Sequence, residues 1–447
     1  MIAACLAMFA IDVDFFSLNL ALPDIAEALG TTTTNLQWAV SAGLLAIAAT
    51  LVPAGRIGDI VGRRPMFLVG AAVFGAASLG CGLATTDGML IAMRVVQGVG
   101  GAILMPLTVA VVSLAAPDDQ ARGRSIGLVY GVGAVGAAAG PFLGGVLTET
   151  LGWEWVFFFN VPFAIGALVF GWLGVPDSRD ESAPRHVDVV GAVLVAVGIV
   201  TISLAFDRGG AWGWGSARFL GLAAAGVAIL AAFVVVETRV RAPLVDLGLF
   251  RNRAFVVVVG SGWIGNSAFV IAIFSTTMYL QQVRDLSPLE AGVVFLAPSI
   301  ANCFAGPLSG RMAERLRPEH VGALAVLVGG VGLAVQSSDM TVWAVLVLGL
   351  AVMGLGYGVA WSYSSVGTQA VVRPEQAGGA AGVTLSIVIG GAGLLLVLAA
   401  TAIEELSGGP TPTVGALEDV LRVVAAVSIA VAGGLTLLAA RARRAKA

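Results

Sequence analysis

The sequence predicts an all-α integral membrane protein, and three observations carry that prediction. Of its 447 residues 58% are hydrophobic and only 11% charged, whereas soluble domains carry about 25% charged residues. Apolar runs long enough to cross the roughly 30 Å hydrocarbon layer, about 20 residues each, recur along the whole chain. Nineteen of the 24 lysines and arginines fall in one set of alternate loops between those runs.

Taken in order, the runs lie near 2–22, 36–54, 66–84, 89–112, 124–147 and 155–174, then 187–206 and 217–236. Six more lie near 255–279, 289–309, 320–337, 341–362, 377–400 and 419–440. The first lacks a basic leader and carries Asp12 and Asp14, so it reads as a span rather than a signal peptide. Fourteen spans put both termini on one side. The cation-rich loops make that side cytoplasmic, in a multi-pass protein of the cell membrane.

The loop after the second run, "GRIGDIVGRRP", returns after the tenth as "GRMAERLRP". In both, a glycine precedes an acid by four residues: Gly55 to Asp59 and Gly310 to Glu314. Such a repeat implies two related six-helix halves, a common transporter plan. The seventh and eighth runs are then an inserted pair, and "PDSRDESAPRHVD", the most polar stretch, marks the boundary before them. The expected organisation is a bundle over 1–175, the inserted pair with its linkers over 176–249, and a second bundle with a short basic tail over 250–447.

A net charge of −3 with no basic tract gives no sign of a nucleic-acid partner. Cys5, Cys81 and Cys303 lie far apart in apolar runs and read as small core residues. His186 and His320 read as solvated loop residues. Neither disulfide nor metal site is expected. No run combines a nucleophile with a base or aims paired carboxylates at one point, which argues against an enzyme.

Asp12 and Asp14 each cost roughly 2.5 to 3.5 kcal/mol if they face lipid. At about 100° per residue they point to different faces. Asp12 lines up with Phe16 and Asn19; Asp14 lines up with Ser17, Leu18 and Ala21. Both faces must meet protein or water. Asp14 lies about 21 Å along an outward-running helix. Arg94, on an inward-running one, lies about 9 Å below the outer surface of a roughly 30 Å core. The depths match, so Arg94 is a candidate partner; an arginine snorkelling to the headgroups is the other reading. Burial favours a protonated acid and a nearby cation an ionised one. A carboxylate balanced between the two, and looking into a wetted chamber, suits proton coupling. In the fifth run Gly133, Gly136, Gly140, Gly144 and Gly145 surround Pro141, and read either as tight packing or as a bending interface.

With these residues in place, the chain resembles the fourteen-helix drug/proton antiporters of the major facilitator superfamily over nearly its whole length. "DFFSLNLALP", "LQWAVSAGLL", "GRIGDIVGRRP", "RVVQGVGGA", "GAAAGPFLGG" and "WEWVFFFNVP" are similar to that family's signatures, in the same order. The resemblance implies two six-helix bundles with two inserted helices. It implies Asp14 as the proton-binding acid coupled to Arg94, with Asp12 an extra acid. Gly55, Asp59, Gly62, Arg63, Arg64, Gly310 and Glu314 would form the cytoplasmic gate. Gly136, Gly140, Pro141, Gly144 and Gly145 would form the surface on which the halves rock. Gly43 stands where the family often has tyrosine, Glu154 where it often has arginine, and Arg317 where the first loop has Gly62.

The expected function is proton-coupled export of small hydrophobic organic compounds, such as drugs or antibiotics, by alternating access. A monomer would work with the proton gradient and no cofactor. Cavity-wall candidates are Asn19, Gln37, Trp38 and Gln97, with Trp263, Asn266, Tyr279, Asn302, Trp361 and Tyr363 in the second half; they mix aromatic faces with sparse polar groups. The alternatives are a proton-coupled metabolite uptake symporter of the same fold, and a membrane sensor.

Overall fold

The computed structural model describes residues 1–114, 119–176, 178, 188–240, 243, 247–372, 377–409 and 411–444, and within its helices leaves out certain side chains, those of Asp59 and Glu314 among them. Every expected apolar run overlaps a helix. The helices of the first half are α1 (Ile2–Leu29), α2 (Thr33–Val61), α3 (Arg63–Gly82), α4 (Asp87–Leu114), α5 (Asp119–Leu151), α6 (Glu154–Phe158), α7 (Asn160–Gly174), α8 (Val189–Trp212) and α9 (Ala217–Glu237). The rest are α10 (Arg253–Met278), α11 (Pro288–Val294), α12 (Leu296–Cys303), α13 (Ala305–Arg315), α14 (Pro318–Gln336), α15 (Trp343–Val371), α16 (Ala377–Ser407) and α17 (Val414–Arg444). Among the described residues, 11 helices are long and apolar enough to cross a membrane, or 12 if a bent pair within α5 is one span. The expected fourteen is therefore not reached by length and hydropathy among the described residues.

Local sequence explains the ends. Thr32, Asp188, Ser216 and Asn252 cap α2, α8, α9 and α10, each accepting a hydrogen bond from a first-turn backbone N–H. Gly30 closes α1 at φ 64°, a left-handed conformation that favours glycine. Gly62 joins α2 to α3 at φ 128°. At the equivalent place in the second repeat, Arg317 is extended at φ −70°. The later loop makes its turn in ordinary backbone, so it has no need of glycine. In α5 the segments Gly131–Ala137 and Ala139–Leu151 meet at 43°, where Pro141 withholds the N–H that would bond to Ala137.

The chain divides into two compact units, one of residues 1–245 with 287–292 and one of residues 246–286 with 293–447. In the first, α4 packs on α2 and α3, and α1 packs on α5 and α7. Glycines set these distances: a Cβ on Gly98 would lie 2.6 Å from the Gly43 carbonyl oxygen, and one on Gly100 would lie 2.6 Å from the Phe74 backbone nitrogen. The inserted pair, α8 and α9, groups with this unit. Its spans are only 22% and 11% buried, and residues such as Val193, Val197, Leu220 and Val227 are exposed, as for helices that face lipid. In the second unit α14 packs on α15 and α17, and α10 on α15 and α16. Tyr363 sits there with Val258, Val321, Val326 and Ala360.

Candidate functional site

Three helices of the first unit converge on one carboxylate. Asp14 reaches the site from α1, Arg94 and Gln97 are a turn apart on α4, and Asn160 opens α7. Arg94 Nη1 donates to Asp14 Oδ2 at 2.5 Å. The other carboxylate oxygen accepts from Gln97 Nε2 at 2.9 Å and from Asn160 Nδ2 at 2.8 Å. The guanidinium is held in turn: its Nε donates to the Ala39 carbonyl at 2.9 Å, and Nη1 also donates to Gln97 Oε1. Gln97 Nε2 donates further to Ser78 Oγ at 2.8 Å. The Phe157 ring lies 6.0 Å from the guanidinium carbon, within reach of a cation–π contact. Side-chain exposure is 5% for Arg94 and 8% for Asp14, so the pair is desolvated and its geometry carries its stability.

Arg94 is thus a partner of Asp14, not a snorkelling arginine. Asn160 and Ser78 are functional neighbours that sequence reasoning did not assign. A lone asparagine between "FFF" and "VP" was the signal for the first; nothing distinguished the second. Asp12 points elsewhere, as the 100° rule requires. It is buried on the α5 side of α1, against Gly133, and makes no hydrogen bond or ion pair among the described residues. The wetted chamber expected around these acids is not formed by the described residues in this conformation. The space against Asp14 and Arg94, beside Gly43 and Gly98, is a cavity of about 10 Å³, room for one water. Donors from protein occupy the carboxylate instead.

The helix-five glycines pack against the helix that bears the acids. Cβ atoms on Gly136 and Gly140 would lie 2.8 Å from the Phe9 carbonyl oxygen and 2.9 Å from Phe16 Cβ, and one on Gly144 would meet Ser17. Gly136, Gly140 and Gly144 therefore pack α5 on α1 inside the first unit. Spacing by four residues keeps Gly136, Gly140 and Gly144 on one face; Gly145, turned about 100° away, meets the Pro288 carbonyl.

The expected cavity wall is revised at several positions. Gln97 belongs to the ion-pair network. Trp38 Nε1 donates to Asp207 Oδ1 at 2.8 Å and so anchors α8 to α2. Tyr279 and Tyr363 are each 1% exposed; Tyr363 is a core residue, and the Tyr279 hydroxyl accepts from Arg284 Nε at 2.6 Å. Asn266 Nδ2 donates to the Val388 carbonyl at 3.1 Å. Asn302 lies against Gly358, and half-buried Trp263 against Gly391. Trp361 is half-buried as well. Asn19 and Gln37 are buried, and the Asn19 side-chain oxygen and both Gln37 amide atoms lack partners among the described residues.

Of the expected gate, Arg64 Nη2 donates to the Trp172 carbonyl at 2.5 Å, and the Arg63 N–H to the Ser178 carbonyl at 2.9 Å. Both tie the loop to the end of α7 and its continuation. Gly55 faces Pro106, and Gly310 has open space around it. The side chains of Asp59 and Glu314, and the whole of His186, lie outside the described residues. Cys81 is buried, but Cys303 is exposed on α12 rather than part of a core.

Comparison with known proteins fits this geometry. A family model described as "Major Facilitator Superfamily" matches residues 4–397. The chain is 33% identical over 371 residues to the tetracenomycin C resistance and export protein of Streptomyces glaucescens, covering 80% of this chain and 68% of that protein. It is 35% identical to the puromycin resistance protein pur8 of Streptomyces alboniger, with 85% and 76% covered. Among solved structures, a POT family transporter in complex with 5-aminolevulinic acid aligns with a TM-score of 0.71 at 14% identity, over 98% of this chain and 96% of that one. At that identity the likeness shows the fold alone.

Proposed function

The chain belongs to the Major Facilitator Superfamily, and from that premise we propose that it exports small hydrophobic organic compounds in exchange for protons. It is a multi-pass membrane transporter by family, and its relatives include proteins named for antibiotic resistance and export. The direction of transport, the coupling ion and the cytoplasmic placement of the arginine-rich loops are our reading. It acts as a monomer and takes its energy from the proton gradient, with no cofactor.

The observation that carries the proposal is the buried Asp14–Arg94 pair with its Gln97 and Asn160 donors. While the pair is closed, the carboxylate is ionised and the two charges neutralise each other. A conformational change that draws α1 away from α4 and α7 would strip away all three donors. A carboxylate in a low-dielectric site without its cation is cheaper to hold as the acid, so opening the pair takes up a proton and closing it releases one. A substrate that binds best while the pair is closed and ionised competes with the proton that the open pair takes up, which is the requirement of antiport.

The test is transport in proteoliposomes loaded with ethidium or puromycin and given a pH gradient. Compound movement opposite to protons, lost when the gradient is collapsed, supports the proposal. Accumulation of a compound in the same direction as protons would mean uptake symport instead.

A further inference from the structure

In the second unit, α12 and α13 carry an exposed face of apolar and cationic residues. Leu308, Arg311, Met312 and Arg315 recur at i, i+3, i+4 and i+7 and therefore share one side of α13, and Leu316 follows its last residue in extended backbone. Together they line an open groove of about 500 Å³. Its floor is Met312, packed on the core cluster around Tyr363 and Ala360. Its walls are apolar and cationic in turn. Leu308 and Leu316 are 36% and 41% exposed, and Arg311 and Arg315 are exposed. Neither arginine makes an ion pair or a hydrogen bond among the described residues.

The same stripe continues towards α12 without charge. Phe304 is 65% exposed and Ile300 57%, one and two turns further from the arginines. The face is thus greasy over about 12 Å, from Ile300 to Leu308, and cationic over the next turn or two. That polarity matches a phospholipid, with acyl chain below and phosphate above.

The geometry points to a binding site for the phosphodiester headgroup of an anionic phospholipid, clamped between Arg311 and Arg315, with its chains along Leu308, Phe304 and Ile300. A guanidinium offers a fork of N–H donors that fits phosphate oxygens, and basic pockets at the cytoplasmic ends of membrane helices favour anionic lipid. A headgroup would supply a counter-charge to these two arginines. The leaflet assigned rests on the cytoplasmic reading of the arginine-rich loops; the binding itself does not.

Full-length protein, delipidated in detergent, is titrated with phosphatidylglycerol or with phosphatidylcholine, and bound lipid is counted by native mass spectrometry. The wild type should retain phosphatidylglycerol in preference to phosphatidylcholine. Arg315→Gln should weaken it about fivefold, and Arg311→Gln with Arg315→Gln about 30-fold. Changing Arg251 and Arg253 to Gln, exposed cations elsewhere in the same unit, should leave it unchanged, and Arg311→Lys with Arg315→Lys, which keeps the charge and loses the fork, should weaken it less than the double glutamine variant. Equal retention by the double glutamine variant overturns the proposal. So does displacement of the lipid by millimolar inorganic phosphate, which would make the site one for a free anion. A dimer that forms without lipid and is lost with the two arginines would also overturn it, since a second copy would then be the occupant. No readout depends on transport, so failure here leaves the export proposal standing and the reverse holds too.

Discussion

Asp14 accepts from Arg94, Gln97 and Asn160, and the three donors should not be equivalent when removed. Asp14→Asn leaves the Arg94 guanidinium buried without a counter-charge, and breaking one side of such a pair costs about 3–5 kcal/mol. Replacing both, Asp14→Leu with Arg94→Met, removes the uncompensated charge and should recover much of that loss. Thermal unfolding in detergent would show the double variant melting above Asp14→Asn; the reverse order would mean that the pair is not the main interaction at the site. Asn160→Leu removes one donor to an ionised group, for a loss of about 1.5–3 kcal/mol in the same assay. The Asp14–Arg94 match was legible in the sequence because depth along two antiparallel helices follows from residue number. Asn160 was not, since depth says nothing about which way a side chain points around its helix. The same blindness explains Tyr279, Tyr363 and Trp38: an aromatic or amide at cavity depth can face its own bundle as easily as a cavity.

At the scale of elements, glycines decide how close α5 comes to α1. A Cβ on Gly136 would lie 2.8 Å from the backbone oxygen of Phe9, and backbone cannot swing aside as a side-chain tip can. Gly136→Ala should therefore push the helices apart and destabilise the protein by about 1–3 kcal/mol. Gly131, on the same helix, has nothing within 4 Å of such a Cβ. There alanine should be neutral or stabilising by up to about 1 kcal/mol, from helix propensity. Melting temperatures of the two variants check this; equal losses would remove the α1–α5 contact as the reason. Apolar runs located the helices, and "GAAAGPFLGG" marked a close-packed face. The partner of that face was not legible, because a glycine stripe fits any helix that can come near. The break between α6 and α7 inside one apolar run, and the π-helical turn at Tyr279–Val283, left no hydropathy signal either.

For the whole molecule, sidedness is the statement with the widest consequences. If the cation-rich loops are cytoplasmic, a single cysteine at Arg208 in a cysteine-free background should react with a membrane-impermeant maleimide added to intact cells. One at Arg251 should react only after the membrane is opened. The opposite pattern would invert every span and turn the proposed export into import. The superfamily fold was legible from six short motifs in the right order, and the match over residues 4–397 agrees with it. The number of spans was less so: eleven or twelve helices meet the length and hydropathy requirement among the described residues.

The most direct test of the central claim is proton release by purified protein in weakly buffered detergent when a transported compound is added. With Asp14 as the site where compound and proton compete, the wild type should acidify the medium on binding. Asp14→Asn, once shown to be folded and still to bind the compound, should leave its pH unchanged. Equal acidification by both proteins would place the exchanged proton on some other group and contradict the account.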